Sequence, residues 1–173
     1  MRYAQIRSMD VSNGDGIGVS LFVQGCHFHC KNCFNSETWN FKGGKEWTDD
    51  VKNKFFKLLD RPYIKRVSIL GGEPLCDENI NDVYELMTDI HTRFPNINIW
   101  LYTGYTWEEL NGIGNSTIEN TLRKTCPYAA TVIVDGRYVD ELKDPSLKWA
   151  GSTNQRVIDV KKSFETNKIV LFE

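Results

Sequence analysis

The strongest constraint on folding in this chain is an alternation. Short β-branched runs end at a glycine or a loop and give way to amphipathic helical stretches. Val19 to Gln24 reads as a strand running into a cysteine-rich loop. Thr48 is placed to cap a helix, with Asp49 and Asp50 in its first turn, Val51, Phe55, Leu58 and Leu59 on one face, and Arg61-Pro62 as its end. Arg66 to Leu70 is a buried-type strand halted by Gly71-Gly72. Asn79 to Phe94 carries Ile80, Val83, Leu86, Met87 and Ile90 at helical spacing and stops at Pro95. Further strands are expected over Ile97 to Tyr102 and Ala129 to Val134, with short helices at Trp107 to Leu110 and Ser116 to Lys124. Flanking pieces are an edge strand over residues 2–8 and two tail strands, near Arg156 to Val160 and Ile169 to Phe172.

Strands alternating with helices predict parallel βαβ units, at least four strands of them. The 173 residues make about one domain, spanning 1–173. A closed eight-fold barrel needs roughly 200 residues or more. The expected fold is therefore α/β, an open, partial parallel β/α barrel in a single domain. Gly14, Gly16 and Gly18 have the wrong spacing for a dinucleotide fingerprint and precede a strand, so they read as a hairpin-type turn.

Lys and Arg number 21 against 23 Asp and Glu, a formal charge of −2. That balance argues against a nucleic-acid partner, which usually calls for a basic surplus. No apolar run approaches the ~20 residues that span a membrane, and the N-terminal residues lack the apolar core of a signal peptide. A cytoplasmic, membrane-free protein is expected. The five cysteines are odd in number and uneven in placement, unlike a secreted disulfide framework.

Three of them form Cys26-x3-Cys30-x2-Cys33 within Gly25 to Asn35. Thiolates are the usual ligands of iron–sulfur clusters, and a 4Fe–4S cluster normally takes four. Three leave one iron without a protein ligand, open to a substrate as a catalytic zinc is. The alternative is a non-catalytic Cys3His zinc module using His27 or His29, although zinc sites usually pair two C-x2-C elements. Cys76 and Cys126 read as buried small thiols.

A second set of residues follows the other strands. Gly71-Gly72 lets backbone approach a ligand closely, and Glu73 adds a charge able to receive an ammonium. Thr103 follows the next strand, and Asp135 with Arg137 the one after. Ligands in parallel α/β folds bind at strand carboxyl ends, so these groups and the cysteine loop are expected to face one mouth.

The cysteine spacing directly after an N-terminal strand resembles the radical S-adenosylmethionine superfamily. Asn13-Gly14, Leu21-Phe22-Val23, Gly25-Cys26, Cys33-Phe34-Asn35 and Thr38-Trp39 resemble, within it, the activating proteins of anaerobic ribonucleoside-triphosphate reductase. The likeness continues through Gly71-Gly72-Glu73-Pro74, Thr103-Gly104-Tyr105, Asp135-Gly136-Arg137, Leu142 to Leu147 and Gly151 to Arg156. The superfamily often has an aromatic residue before the third cysteine. Here Asn32 stands there and Phe34 lies on the other side, as in the reductase-activating subgroup.

The resemblance implies a partial barrel of the radical S-adenosylmethionine type and one 4Fe–4S cluster on Cys26, Cys30 and Cys33. It implies S-adenosylmethionine held by Asn32, Cys33, Phe34, Gly71, Gly72, Glu73, Thr103, Asp135 and Arg137. It also implies reductive cleavage to methionine and a 5′-deoxyadenosyl radical, which raises a glycyl radical on the large subunit of the reductase. Flavodoxin or a similar low-potential protein is the implied electron donor. Two other radical enzymes remain as alternatives, a pyruvate formate-lyase activase-like protein and a small-molecule cyclising enzyme.

Overall fold

The computed structural model describes residues 1–112 and 121–173. Seven strands form one mixed sheet: β1 (Arg2–Asp10), β2 (Gly18–Val23), β3 (Lys45–Glu46), β4 (Arg66–Gly71), β5 (Asn98–Tyr102), β6 (Val132–Asp135) and β7 (Arg156–Asp159). Their spatial order is β3-β1-β2-β4-β5-β6-β7, so the sheet is open, with β3 and β7 at its edges. The centre, β2-β4-β5-β6, is parallel. Both flanks are antiparallel, through β1 with β2 and β6 with β7.

Helices α1 (Asp49–Leu59) and α2 (Ile80–Arg93) join the first parallel strands, and the short α3 (Trp107–Leu110) follows β5. Thr48 caps α1 as its sequence position predicts, its hydroxyl accepting from the Val51 amide. Thr106 and Glu109 close a reciprocal capping box on α3. The helix expected over 116–124 begins outside the described residues, and what is described is α4 (Thr121–Thr125). Among the described residues no helix is long and apolar enough to cross a membrane.

Two expectations are corrected. The strand over residues 2–8 is not at the edge: β1 lies between β3 and β2. The strand expected at Ile169 to Phe172 is reduced to a single bridge, Ile158 with Leu171. The helix α5 (Val160–Thr166) follows β7 instead, capped by the Asp159 carboxylate accepting from the Lys162 amide at 3.0 Å.

The central strands are buried on both faces, as parallel strands are. Val19, Leu21, Val23, Val67, Ile69, Ile99, Leu101 and Ile133 pack with the helices into the main core. The intervening residues point the other way. Register sets Phe22 beside Leu70 and Tyr102 beside Val134, one row across that opposite face. The row beneath holds Ser20 beside Ser68, then Trp100 beside Val132. Below it, Arg66 is wholly buried. It donates to Ser68 Oγ at 2.7 Å and to the Asp10 carboxylate at 3.0 Å, closing the bottom of this face.

Candidate active site

The loop after β2 carries the three cysteines. Its backbone is fixed by Gly25 N donating to Thr38 O at 2.7 Å and Cys26 N to Trp39 O at 3.2 Å. His29 and Asn32 adopt left-handed backbone angles, which fold the loop so tightly that Cys33 N reaches Cys30 O at 3.1 Å. Backbone amides are aimed at all three sulfurs: Phe28 and His29 at Cys26, Tyr138 at Cys30, and Asn35 at Cys33 at 3.4 Å. Burial pushes the Cys26 thiol up to about 11, and the Glu73 carboxylate adds to the effect. Burial likewise raises the Cys30 thiol, so these two resist ionisation when bare, whereas iron(II/III) charge would reverse that balance. Amide donors to sulfur are what an iron–sulfur cluster uses to tune its thiolates, so the donor set fits such a cluster.

The histidines serve other purposes. His27 Nε2 lies 2.8 Å from Glu78 Oε1, and its ring rests on Phe41. His29 stacks on Trp39, ring centres 4.6 Å apart. Among the described residues no three His, Cys, Asp or Glu side chains are grouped closely enough to hold one metal ion.

The Gly-Gly-Glu segment docks directly onto the cysteine loop. Gly72 N donates to Val23 O, and Glu73 N donates to Gly25 O, both at 2.8 Å. A Cβ on Gly72 would stand 2.3 Å from Gly25 O, so only glycine permits this seam. The Glu73 side chain turns inward, away from solvent. Its Oε1 accepts from the Thr103 hydroxyl at 2.8 Å and the Leu75 amide at 2.9 Å, and Oε2 accepts from the Gly104 amide at 2.7 Å. Burial raises its carboxyl to about 7 against the pull of those donors.

A cavity of about 560 Å³ opens between these parts. Cys26, Cys30, Cys33, Phe34, Gly71, Gly72, Glu73, Thr103 and Arg137 all line it. Phe34 is 59% exposed at the mouth and leans on Tyr138. The Arg137 guanidinium lies 4.4 Å over the Phe28 ring, with Glu109 3.9 Å away.

Four side chains differ from the sequence reading. Asp135 is buried off the cavity. It accepts from Arg156 Nε at 3.0 Å and from the Trp107 amide at 2.7 Å, and Arg156 in turn grips Glu108 with both terminal nitrogens. Strand alternation explains it: Asp135 follows Val134 and so faces the helices, like Ile133. Asn32 is turned outward, donating to Asp140 at 2.7 Å. Thr103 has its hydroxyl fully used, donating to Glu73 and accepting from the Tyr105 amide. Glu73 has both carboxylate oxygens engaged within the protein, Oε1 by two donors and Oε2 by the Gly104 amide. Residues that the sequence reading passed over also line the cavity: Arg7, Tyr102, Tyr138, Trp149 and Gln155. The period of two along β5 was the available signal for Tyr102.

The family described as "4Fe-4S single cluster domain" matches residues 12–158. The anaerobic ribonucleoside-triphosphate reductase-activating protein of Salmonella typhimurium is 37% identical over 159 residues, covering 91% of this chain and 97% of that protein. The protein of that name from Vibrio cholerae is 38% identical, covering 90% and 96%. The one from Enterobacteria phage T4 is 34% identical, covering 91% and 93%. With near-complete coverage in both directions, this chain belongs to the 4Fe–4S single-cluster-domain family that includes the anaerobic ribonucleoside-triphosphate reductase-activating proteins.

Proposed function

We propose that this chain, as one domain over 1–173, activates an anaerobic ribonucleoside-triphosphate reductase by raising a glycyl radical on its large subunit. In this reading the open sheet is the partial barrel of a radical S-adenosylmethionine enzyme. Cys26, Cys30 and Cys33 would hold a 4Fe–4S cluster, which would keep a position open to S-adenosylmethionine. The observation that carries the proposal is that all three cysteines and the Gly71-Gly72 seam open into the same cavity.

When bound, the cluster supplies one low-potential electron that divides S-adenosylmethionine into methionine and a 5′-deoxyadenosyl radical. The chain's own residues orient and shield that chemistry. Carbonyls of Gly71 and Gly72 accept from the methionyl ammonium, because the glycines leave them uncovered. Arg137, a cation on the cavity wall, pairs with the methionyl carboxylate. Phe34 supplies an aromatic face at the mouth. Phe28, Trp39 and Leu70 exclude water from the reacting end. Glu73 and Thr103 act one step back, tying the ends of β4 and β5 together. The electron donor is a flavodoxin-type protein of low potential.

The test is anaerobic incubation with an anaerobic ribonucleotide reductase, reductant and S-adenosylmethionine, read by EPR. A carbon-centred doublet on the reductase is expected. Alanine at Cys26, Cys30 or Cys33 should abolish both the cluster and the doublet, while Cys76→Ala keeps both. An intact cluster in the wild-type protein with no S-adenosylmethionine cleavage would refute the reading, and a Cys76 variant lacking its cluster would refute the ligand set.

A further inference from the structure

The segment that follows Gly136 runs beside the cysteine loop and grips it. It holds its own shape first. Val139 N donates to Ser152 Oγ at 3.2 Å and Thr153 N to Leu142 O at 2.9 Å, and Ser152 is wholly buried. Gln155 ties its two ends, donating to Gly136 O at 2.8 Å and accepting from Gly151 N at 2.9 Å. A rigid base of this kind presents its side chains at fixed positions.

Two of its groups act on the cysteine loop together. The Tyr138 amide is aimed at the Cys30 sulfur. Two residues on, the Asp140 carboxylate joins both segments: Oδ1 accepts from the Tyr138 hydroxyl at 2.9 Å, and Oδ2 accepts from Asn32 Nδ2 at 2.7 Å. A second bridge between the same segments, from Lys31 Nζ to Glu141 Oε1 at 2.9 Å, joins side-chain tips that are exposed at both ends.

Asn32 is the corner on which the loop turns. Cys33 N bonds Cys30 O at 3.1 Å, so residues 30–33 make one turn, with Asn32 as its third residue at φ +55°. Glycine takes that angle freely, and asparagine is among the few other residues that tolerate it. The turn brings Cys33 close enough to act electrostatically on Cys30. The Asn32 side chain does not line the cavity, and its amide is held by Asp140 instead.

We propose that Asp140 is a positioning residue for the cluster: by holding Asn32 at the corner of the turn and Tyr138 beside Cys30, it keeps Cys30 and Cys33 in ligating order and an amide on the Cys30 sulfur. This rests on the cluster reading above. Groups one step behind the ligands typically change metal affinity by about 10–100-fold. Hydrogen bonds to the sulfurs also set a cluster's potential. Releasing the grip loosens Cys30 and withdraws a donor from its sulfur. The reduced cluster carries the extra negative charge, so losing that donor disfavours reduction.

The experiment uses the full chain with its cluster reconstituted anaerobically, without S-adenosylmethionine or reductase. It reads the rate at which a chelator removes iron, and the midpoint potential from an EPR-monitored titration. Asp140→Asn keeps the size of the side chain but turns the acceptor facing Asn32 into a donor. Iron release should become about tenfold faster and the midpoint more negative. Combining Asn32→Asp with Asp140→Asn exchanges donor and acceptor, leaves an oxygen for Tyr138, and keeps a residue that tolerates the corner. Release should return to within about twofold of the parent, and the midpoint should return with it. Glu141→Gln should leave both unchanged, because an exposed ion pair contributes little. An unmoved rate or an unmoved midpoint in Asp140→Asn overturns the proposal. So does a double variant that behaves like Asp140→Asn, or a Glu141→Gln variant that matches it. A lowered denaturation midpoint of the cluster-free Asp140→Asn chain overturns it as well, since Asp140 would then merely support the fold. Failure of the parent chain to take up a 4Fe–4S cluster refutes the reading beneath the proposal, a separate and distinguishable result.

Discussion

The two faces of the central strands share one backbone and almost the same burial, yet they are made of different residues. Toward the helices stand Val19, Leu21, Val67, Ile69, Ile99, Leu101 and Ile133, all aliphatic and all without solvent exposure. Toward the cavity stand Ser20, Phe22, Arg66, Ser68, Leu70, Trp100 and Tyr102, a mixture of hydroxyls, aromatics and a charge. The helix face is packed for cohesion. The cavity face holds polar atoms at a cost, and such atoms persist where they bind or seal something. Residue type, and not burial, separates stability from function in this sheet.

The largest effect that tests this contrast lies at the sealed end of the cavity face. Asp10→Ala leaves Arg66 buried without its counter-ion and should lose about 3–5 kcal/mol in anaerobic chemical denaturation. If the loss is negligible, Arg66 is not the charge-paired seal described. Next come the aliphatic positions. Leu101→Ala on the helix face should cost about 2–5 kcal/mol, and Leu70→Ala, which borders open space, distinctly less. Equal losses would erase the distinction between the faces.

A pH experiment sharpens it further. Burial alone would raise the Asp10 carboxyl, but hydrogen bonds from Asn13, Arg66 and Ser12 overcome it and hold the group at about 2, below its ordinary 3.8. A lowered carboxylate stabilises the fold above its unfolded value, so that contribution should fade as pH falls from 3.8 through about 2. Asp10→Asn should lack this acid limb, as read from denaturation midpoints across that range. The smallest effect is at Ser20, whose buried hydroxyl has no partner. Ser20→Ala should stay within about 0.5 kcal/mol of the parent or gain slightly.

Much of this was legible in the sequence. The β-branched runs, glycine stops and helical spacing give the parallel centre of the sheet and its helices, because those signals are local. The cysteine spacing gives the loop. What escaped depended on contacts between distant segments. The pairings of β1 and β7 are antiparallel, and nothing in either segment alone announces its neighbour's direction. The Ile169 to Phe172 stretch has strand composition but finds one bridge only, since the chain has already turned into α5. Asp135 shows the commonest error. Proximity to a strand end was read as proximity to the cavity, but a step of one residue reverses the side chain. Counting by twos from Phe22 and Leu70 would have chosen Tyr102 and Val134 instead.

The contact between Gly25 and Gly72 has one more consequence. Two stretches more than forty positions apart share a joint with no room for a single methyl group. The thiol-bearing turn is thus not a portable module. Grafted onto another scaffold, it would bring its sulfurs and leave behind the strut that sets their angle to the cavity.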